Sequence, residues 1–506
     1  MRTKNSIRNS ITGFIASFIA MAAGFVTHTV FIKILNTEYL GLNSLFTNIL
    51  TLLSVFELGV GNAIVYNLYQ PIATNNIKEI KSLVRFYKKA YNIIISVIFI
   101  VGVLLIPFLG LIVGNVEIDV NISIVYILFL FSTLSSYLVA YKRSLIFANQ
   151  KNYIINIIHA IYILVLNISQ LLLLIYTKNY YLYLIIRIVC QILENIVISR
   201  FANKLYPYVK ERDVEELPKE IEKNITEKVK ALFFHKVGSS IVFGTDNILI
   251  SSFFGVVIVG LYSNYNLIIN SVNTLFNQFS SSLTASVGNL LVLEDDNKAF
   301  NVFKQVRFIV FWVAAFSATC ILFLVQPFIT LWLGKDYLLG IWIVIVLVFN
   351  YFQLVMRSAY GAFKDSAGIW VEDKFVPLFE SIINIICSVV LLKIFGLIGV
   401  FIGTTISALV IWCYSFPKFV YKKLFKRSYI SYATETLGYM ILFIGINVVT
   451  YFVVQSFNYS STIINLLCNA AICIVVPNLI IYLIFRRSEN YKNFKTMIKR
   501  FIFKKN

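Results

Sequence analysis

Long apolar runs alternate with short polar breaks along the whole chain. Fourteen such runs lie at roughly 10–35, 40–68, 90–114, 120–147, 153–176, 180–204, 230–253, 256–291, 306–332, 338–361, 375–394, 397–418, 434–455 and 462–485. Each is close to or longer than the ~20 residues a helix needs to cross hydrocarbon. Barrel strands would be about half that length and would alternate apolar with polar. The pattern therefore predicts fourteen transmembrane helices. The basic start, MRTKNSIRNS, leads straight into a long first run, which reads as an uncleaved helix rather than a signal peptide. The longest polar stretch runs from Pro207 to Lys230, and there Ile221, Ile225 and Val229 recur every fourth residue, the spacing of a surface helix.

Composition sharpens this picture. Of 506 residues 59% are hydrophobic and 13% charged, with mean hydropathy +0.80. A soluble domain carries about 25% charged residues, so soluble, disordered and disulfide-scaffold classes are excluded. A net charge of +20 would suggest nucleic acid in a soluble chain, but its distribution says otherwise. With the N-terminus inside, the inner segments hold 38 lysines and arginines and the outer turns hold 4. That is the positive-inside pattern, with both termini cytoplasmic, and the basic tail is placed on anionic lipid headgroups. The six cysteines all fall in apolar runs and read as packing residues.

The chain repeats itself. Gly41-Leu42 pairs with Gly260-Leu261, Val84-Arg85-Phe86 with Val306-Arg307-Phe308, Pro107-Phe108 with Pro327-Phe328, Gly114 with Gly334, and Arg143-Ser144 with Arg357-Ser358. Six spans per repeat is an even number, so the repeats are parallel, related by an axis along the membrane normal as in transporters. The expected division is an N-terminal half over 1–206, a cytoplasmic linker over 207–229, a second half over 230–420, and two additional spans with a basic tail over 421–506.

Span eight carries Asn266, Asn270, Asn273, Asn277, Ser281 and Thr284 on one helical face. Its repeat mate, span two, carries Thr47, Thr51 and Ser54. Amides in hydrocarbon need partners, so the two stripes point to a wet cavity suited to a sugar; interhelical hydrogen bonding is the plainer alternative. Ionisable groups within spans are functional candidates: His28, Glu57, His159, Arg187, Glu194, His235, Lys236, Asp246 and Glu380. Arg187 and Glu194, two turns apart, read as an ion pair, and His159 as a hydrogen-bonded packing residue. Glu57 lies in ELGVGNA, between cavity lining and helix pairing. Lys236, His28 and the repeat-related Arg143 and Arg357 complete the candidate substrate contacts.

Asp246 and Glu380 have no basic residue within two turns along their own helices. Asn384 follows Glu380 by one turn, and Thr404 could add a hydroxyl. Carboxylate, amide and hydroxyl oxygens suit Na⁺, and a carboxylate alone can carry H⁺, so these four are the candidate site for a coupling ion. No other cofactor is expected. There is no HExxH, GxSxG, P-loop or CxxC, and the outer loops are too short for a catalytic domain; the chain does not read as an enzyme.

Several long blocks resemble the Wzx-type polysaccharide repeat-unit flippases: YLGLNSLFTNILTLLSVFELGVGNAIVYNLYQPIA at 39–73, TDNILISSFFG at 245–255, VGLYSNYNLII at 259–269, SVGNLL at 286–291, and SAYGAFKDSAGIWVEDKFVPLFESIINIICSVVLLKIFGLIGVFIGTTIS at 358–407. The resemblance spans roughly residues 5–430 and weakens over the last two spans. It implies the multidrug/oligosaccharidyl-lipid/polysaccharide exporter fold, two pseudo-symmetric six-helix bundles rocking about a cavity. It implies as substrate an oligosaccharide on undecaprenyl pyrophosphate, moved across the bacterial cytoplasmic membrane, with a polymerase and glycosyltransferases as pathway partners. Related lipid II flippases add two C-terminal helices that shape a groove for the lipid tail, and spans thirteen and fourteen look like that addition. Those flippases use arginines on spans one, two and eight; here only Arg8, at the start of span one, is present, which argues against lipid II as cargo. They also bind Na⁺ between spans seven and eleven, where Asp246, Glu380 and Asn384 match. The alternatives are a cation-coupled drug antiporter of the same superfamily and a scaffold for a glycan-assembly complex.

Overall fold

The computed structural model describes every residue except 1, 58–59, 115–117, 212–214, 220, 224, 227–243, 370–371, 374, 458–460 and 504–506. The protein is an all-α polytopic membrane protein. Its helices are α1 (Arg2–Leu35), α2 (Thr37–Leu53), α3 (Val60–Ala73), α4 (Ile77–Leu104), α5 (Leu109–Val113), α6 (Ile122–Tyr137), α7 (Ala140–Ala148), α8 (Asn152–Thr177) and α9 (Tyr180–Leu205). There follow α10 (244–254), α11 (Val256–Leu293), α12 (Asp296–Trp332), α13 (Ile341–Ser366), α14 (Val376–Phe395), α15 (Leu397–Val410), a π-helical continuation over Ile411–Leu424, α16 (Tyr429–Ser456), α17 (Thr462–Phe485) and α18 (Glu489–Phe503). Among the described residues eleven stretches are long and apolar enough to cross a membrane.

Side-chain caps start many of these helices. Asn36, Asn76, Asn121 and Asn179 each accept a hydrogen bond from a backbone N–H of the first turn, satisfying donors a helix start leaves open. Three expected spans are divided. Span two breaks at a 3₁₀ turn over Ser54–Phe56, span three at Leu105 before a 3₁₀ turn over Ile106–Phe108, and span four at Leu138–Val139 between α6 and α7. Two helices start earlier than hydropathy indicates: α4 and α12 begin about three turns and ten residues, respectively, before the apolar runs at 90 and 306. Their polar first turns are amphipathic, with Ile80, Leu83, Val84 and Tyr87 buried on one face of α4. In the linker, Ile221 and Ile225 are helical and Ile225 is buried; Val229 lies outside the described residues. The basic tail forms α18, which sets Tyr491 and Phe494 against Trp312 of α12.

The chain divides into two compact units, Met1–Ser263 and Asn264–Asn506, with the boundary inside α11. In the first unit α1 packs along α8, α8 along α9, and Phe46 sets its ring edge-to-face on Tyr126 and Phe129. In the second, α14 and α15 form a close hairpin: a Cβ on Gly399 would lie 2.1 Å from the Leu391 carbonyl oxygen. α13 packs on α15, and α12 packs on α13, α16 and α17, with Phe303, Phe308, Phe311, Tyr360 and Phe363 buried. The outward faces are apolar. Ile157, Ile161, Leu164, Ile168, Leu172 and Ile175 form an exposed stripe along α8, which is the surface lipid rather than water would solvate.

Candidate functional site

On α2, Thr47 and Thr51 are exposed and Ser54 is half-buried. Each hydroxyl donates to its own helix, to the carbonyls of Asn43, Thr47 and Leu50 at 2.7, 2.7 and 2.8 Å. Their protons are thus used internally, and the face they turn outward is one of acceptor lone pairs. On α11, Asn270 and Asn277 are exposed while Asn266 and Asn273 are half-buried. The Asn270 amide donates to Asn266 Oδ1 at 3.3 Å. This amide face both donates and accepts, as sugar hydroxyls require. The side chains of Ser281 and Thr284 lie outside the described residues, as does Lys236 with the rest of its segment.

Glu57 accepts a hydrogen bond from the Tyr91 hydroxyl at 3.1 Å, and a Cβ on Gly61 would sit 3.1 Å from its Oε1. Small residues therefore let this carboxylate approach α4. His28 is half-buried on α1, beside the Thr27–Asn167 hydrogen bond of 2.5 Å.

Charged groups pair between helices, where sequence spacing cannot show it. Glu194 does not pair with Arg187, as the two-turn spacing suggested. It takes Arg143 Nη2 at 2.9 Å, His159 Nδ1 at 2.9 Å and Gln191 Nε2 at 2.8 Å. The Arg187 guanidinium lies instead over the Phe129 ring, 5.7 Å from its centroid. His159 is hydrogen-bonded, as read from the sequence.

In the second unit, Glu380 is not unpaired: Arg357 of α13 reaches it from another helix at 2.7 Å, with Glu380 7% exposed. The arginine counted among substrate contacts and the carboxylate counted among cation ligands thus neutralise each other. Asn384 is buried and its amide donates to Thr404 Oγ1 at 3.0 Å, joining two of the four candidate ion ligands. Thr405 donates to Asn350 Oδ1 at 2.7 Å. Asp246, buried on α10, belongs to the first unit. Among the described residues no cluster of three His, Cys, Asp or Glu side chains could hold a metal ion.

Two further buried pairs had no sequence signal, since their partners are far apart or on irregular backbone. Lys364 pairs with Asp373, which also accepts from Ser415. Arg307 pairs with Glu435 and meets the Tyr421 hydroxyl. Ser415 and Tyr421 both lie in the π-helical segment, a backbone form often found at functional positions. A cavity of about 930 Å³ opens between α12, α13, α15 and α16, lined by Leu322, Phe323, Phe349, Ile402, Phe443 and Tyr451 among others. Its few polar groups are Gln326, Thr405, Asn447 and Gln455.

The backbone is similar to that of known membrane transporters. The lipid II flippase MurJ in an inward closed conformation superposes with a TM-score of 0.68 over 94% of this chain and 99% of its own, at 16% identity. A multidrug resistance MATE family transporter of the MOP superfamily, inward-facing, gives 0.54 over 79% of this chain and 95% of its own, at 13% identity. A variant of the Vibrio cholerae MATE transporter VcmN gives 0.55 over 81% and 96%, at 13% identity. These likenesses are likenesses of fold. No protein-family model and no curated protein matches the chain.

Proposed function

We propose that the chain is a flippase that carries undecaprenyl-pyrophosphate-linked oligosaccharide repeat units across the cytoplasmic membrane by alternating access, for a capsule, O-antigen or other surface polysaccharide. The observation that carries this reading is the exposed amide face of α11, Asn270 and Asn277 with Asn266 and Asn273, beside a fold shared with a protein titled a lipid II flippase. A sugar presents donors and acceptors in equal measure, and the amides of α11 match both, while the hydroxyls of α2 accept. A charged glycan cannot enter hydrocarbon unaided, whereas its isoprenoid tail is at home there. The apolar cavity against α16 suits part of that tail. The coverage of 94% for the flippase against 79–81% for the MATE transporters favours a flippase over a drug antiporter.

The rest of the reading follows the same logic. Na⁺ or H⁺ is the coupling ion, on Asp246, Glu380, Asn384 and Thr404, and it competes with Arg357 for the Glu380 carboxylate. The basic ends of the helices face the cytoplasm. A cysteine placed at Lys335 should then label from outside with an impermeant thiol reagent and one at Glu216 should not, with the native chain as background.

The test of the cargo site is Asn270→Leu and Asn273→Leu in cells that depend on this chain for surface glycan. Each should lower glycan output per molecule of folded protein by roughly 5- to 150-fold, the effect of about 1–3 kcal/mol for an unmet hydroxyl. Full output with a lowered melting temperature would mean that the face only joins helices.

A further inference from the structure

Glu194 is enclosed, with its side chain 1% exposed, and donors from three helices meet it. Arg143 comes from α7, His159 from α8, and Gln191 from Glu194's own helix α9. A carboxylate only accepts, so the His159 Nδ1 facing it carries the hydrogen and Nε2 is left with the lone pair. The imidazole is 45% exposed and stacks on Tyr162 at 5.5 Å. It is therefore a ring fixed in one tautomer, with its basic nitrogen turned away from the buried pair.

The charges decide what a proton would do. Arg143 and Glu194 balance while His159 is neutral. A proton on Nε2 sets two cations against one carboxylate, and the new imidazolium competes with the guanidinium for it. Arg143 also donates to Asn195 Oδ1 at 3.1 Å. We propose that His159 is a proton-binding site of the first unit, and that its loading loosens the Arg143–Glu194 pair.

The surroundings admit this role. His159 itself meets Glu194 of α9 and the Tyr162 ring of its own helix, and the charged or titratable groups around that Tyr162 are Arg143 from α7 and Arg187, Cys190 and Glu194 from α9. α1, which also packs along α8, brings Arg8 to Tyr153 at one end and His28 toward the other. His159 lies seven residues into α8, about 10 Å from the helix start at the basic end, close enough for a proton to arrive from that side. None of the members of this cluster is among the proposed coupling ligands Asp246, Glu380, Asn384 and Thr404. The site is thus separate from the proposed coupling ligands and stands whatever the cargo is.

The experiment uses the full chain in lipid nanodiscs with ¹⁵N-labelled histidine and arginine, followed by NMR between about pH 5 and 8, the range in which imidazole charges. Signals are assigned by their loss in His159→Asn and Arg143→Lys. The expected result is a His159 ring that passes from neutral to doubly protonated, with the Arg143 guanidinium signal moving at the same midpoint. In Glu194→Gln the two should move independently. A His159 ring that stays neutral throughout in the native chain, or an Arg143 signal blind to its protonation, would overturn the proposal without touching the flippase reading. Because the decisive titration is made on the native sequence, a variant that fails to fold does not leave it open.

Discussion

Val84-Arg85-Phe86 on α4 and Val306-Arg307-Phe308 on α12 are the same triplet in sequence, yet Arg85 is exposed while Arg307 is 3% exposed. The difference lies in what covers them. Arg307 is sandwiched by the rings of Phe303, Tyr421 and Tyr439 at 5.4, 6.0 and 5.2 Å and is paired with Glu435. Two of those partners, Tyr439 and Glu435, come from α16, the first of the helices added after the repeat, and Tyr421 comes from the segment leading to it. Other positions paired in sequence agree only in part. Gly114 and Gly334 both end their helices at positive φ, 70° and 114°, a conformation glycine adopts without strain. Pro107 opens a 3₁₀ turn, whereas Pro327 lies inside unbroken α12. Local sequence sets where backbone turns, and neighbouring helices set what an identical triplet does.

The largest effect should come where repeat mates meet. Gly41 and Gly260 pair in sequence, and their backbones touch: a Cβ on Gly41 would stand 1.8 Å from the Val256 carbonyl oxygen, and one on Gly260 would stand 2.4 Å from that of Thr37. Neither carbonyl can move aside as a side chain would. Gly41→Val should abolish accumulation of folded protein, whereas Gly110→Ala, with nothing within 4 Å, should leave it intact. Equal yields of the two variants would break the view that this crossing is fixed by its glycines. Next in size is Arg307→Met, which leaves the part-buried Glu435 with the Tyr421 and Ser431 hydroxyls as its donors and should lower stability by about 1–3 kcal/mol; adding Glu435→Met should restore most of it. Arg85→Met alters an exposed side chain and should cost no more than about 1 kcal/mol. Matching losses at Arg85 and Arg307 in thermal unfolding would end the contrast drawn between the halves.

The sequence made the spans legible because hydrocarbon imposes length and polarity directly on each helix. Less visible were the amphipathic first turns of α4 and α12 and the helix α18, since a hydropathy window discounts any segment with lysines on one face. The exposed asparagine face of α11 was readable because its period lies within one helix. The ion pairs were not. Arg143 and Glu194 are 51 residues apart, and Arg357 meets Glu380 only because α13 packs beside it. Searching two turns along each helix found Arg187 as a partner for Glu194 and none for Glu380; both answers changed once helices were neighbours.

The smallest effect sharpens the comparison at the helix starts. α4 opens on Asn76, whose Oδ1 accepts from the Glu79 N–H at 3.3 Å while its amide donates to Glu79 Oε2 at 2.9 Å. This reciprocal cap satisfies a donor that the first turn leaves open. α12 opens on Asp295, which makes no side-chain cap bond. Its first turn is fastened from elsewhere, by Lys426 on Asp296 at 2.7 Å and by Arg427 on Asn297 at 2.8 Å. Both fasteners lie between the π-helical segment and α16, so the second half again depends on the added helices where the first half uses its own residues. Asn76→Ala should therefore lower stability by about 1 kcal/mol. Asp295→Ala removes only a charge from the positive end of the helix dipole and should lower it by about 0.3–0.5 kcal/mol. Salt should shrink the Asp295 effect and leave the Asn76 effect nearly unchanged, because a short-range hydrogen bond is not screened as an exposed charge is. Unfolding midpoints measured at low and high salt decide the matter: equal losses with equal salt dependence would mean that the two helix starts are held in the same way.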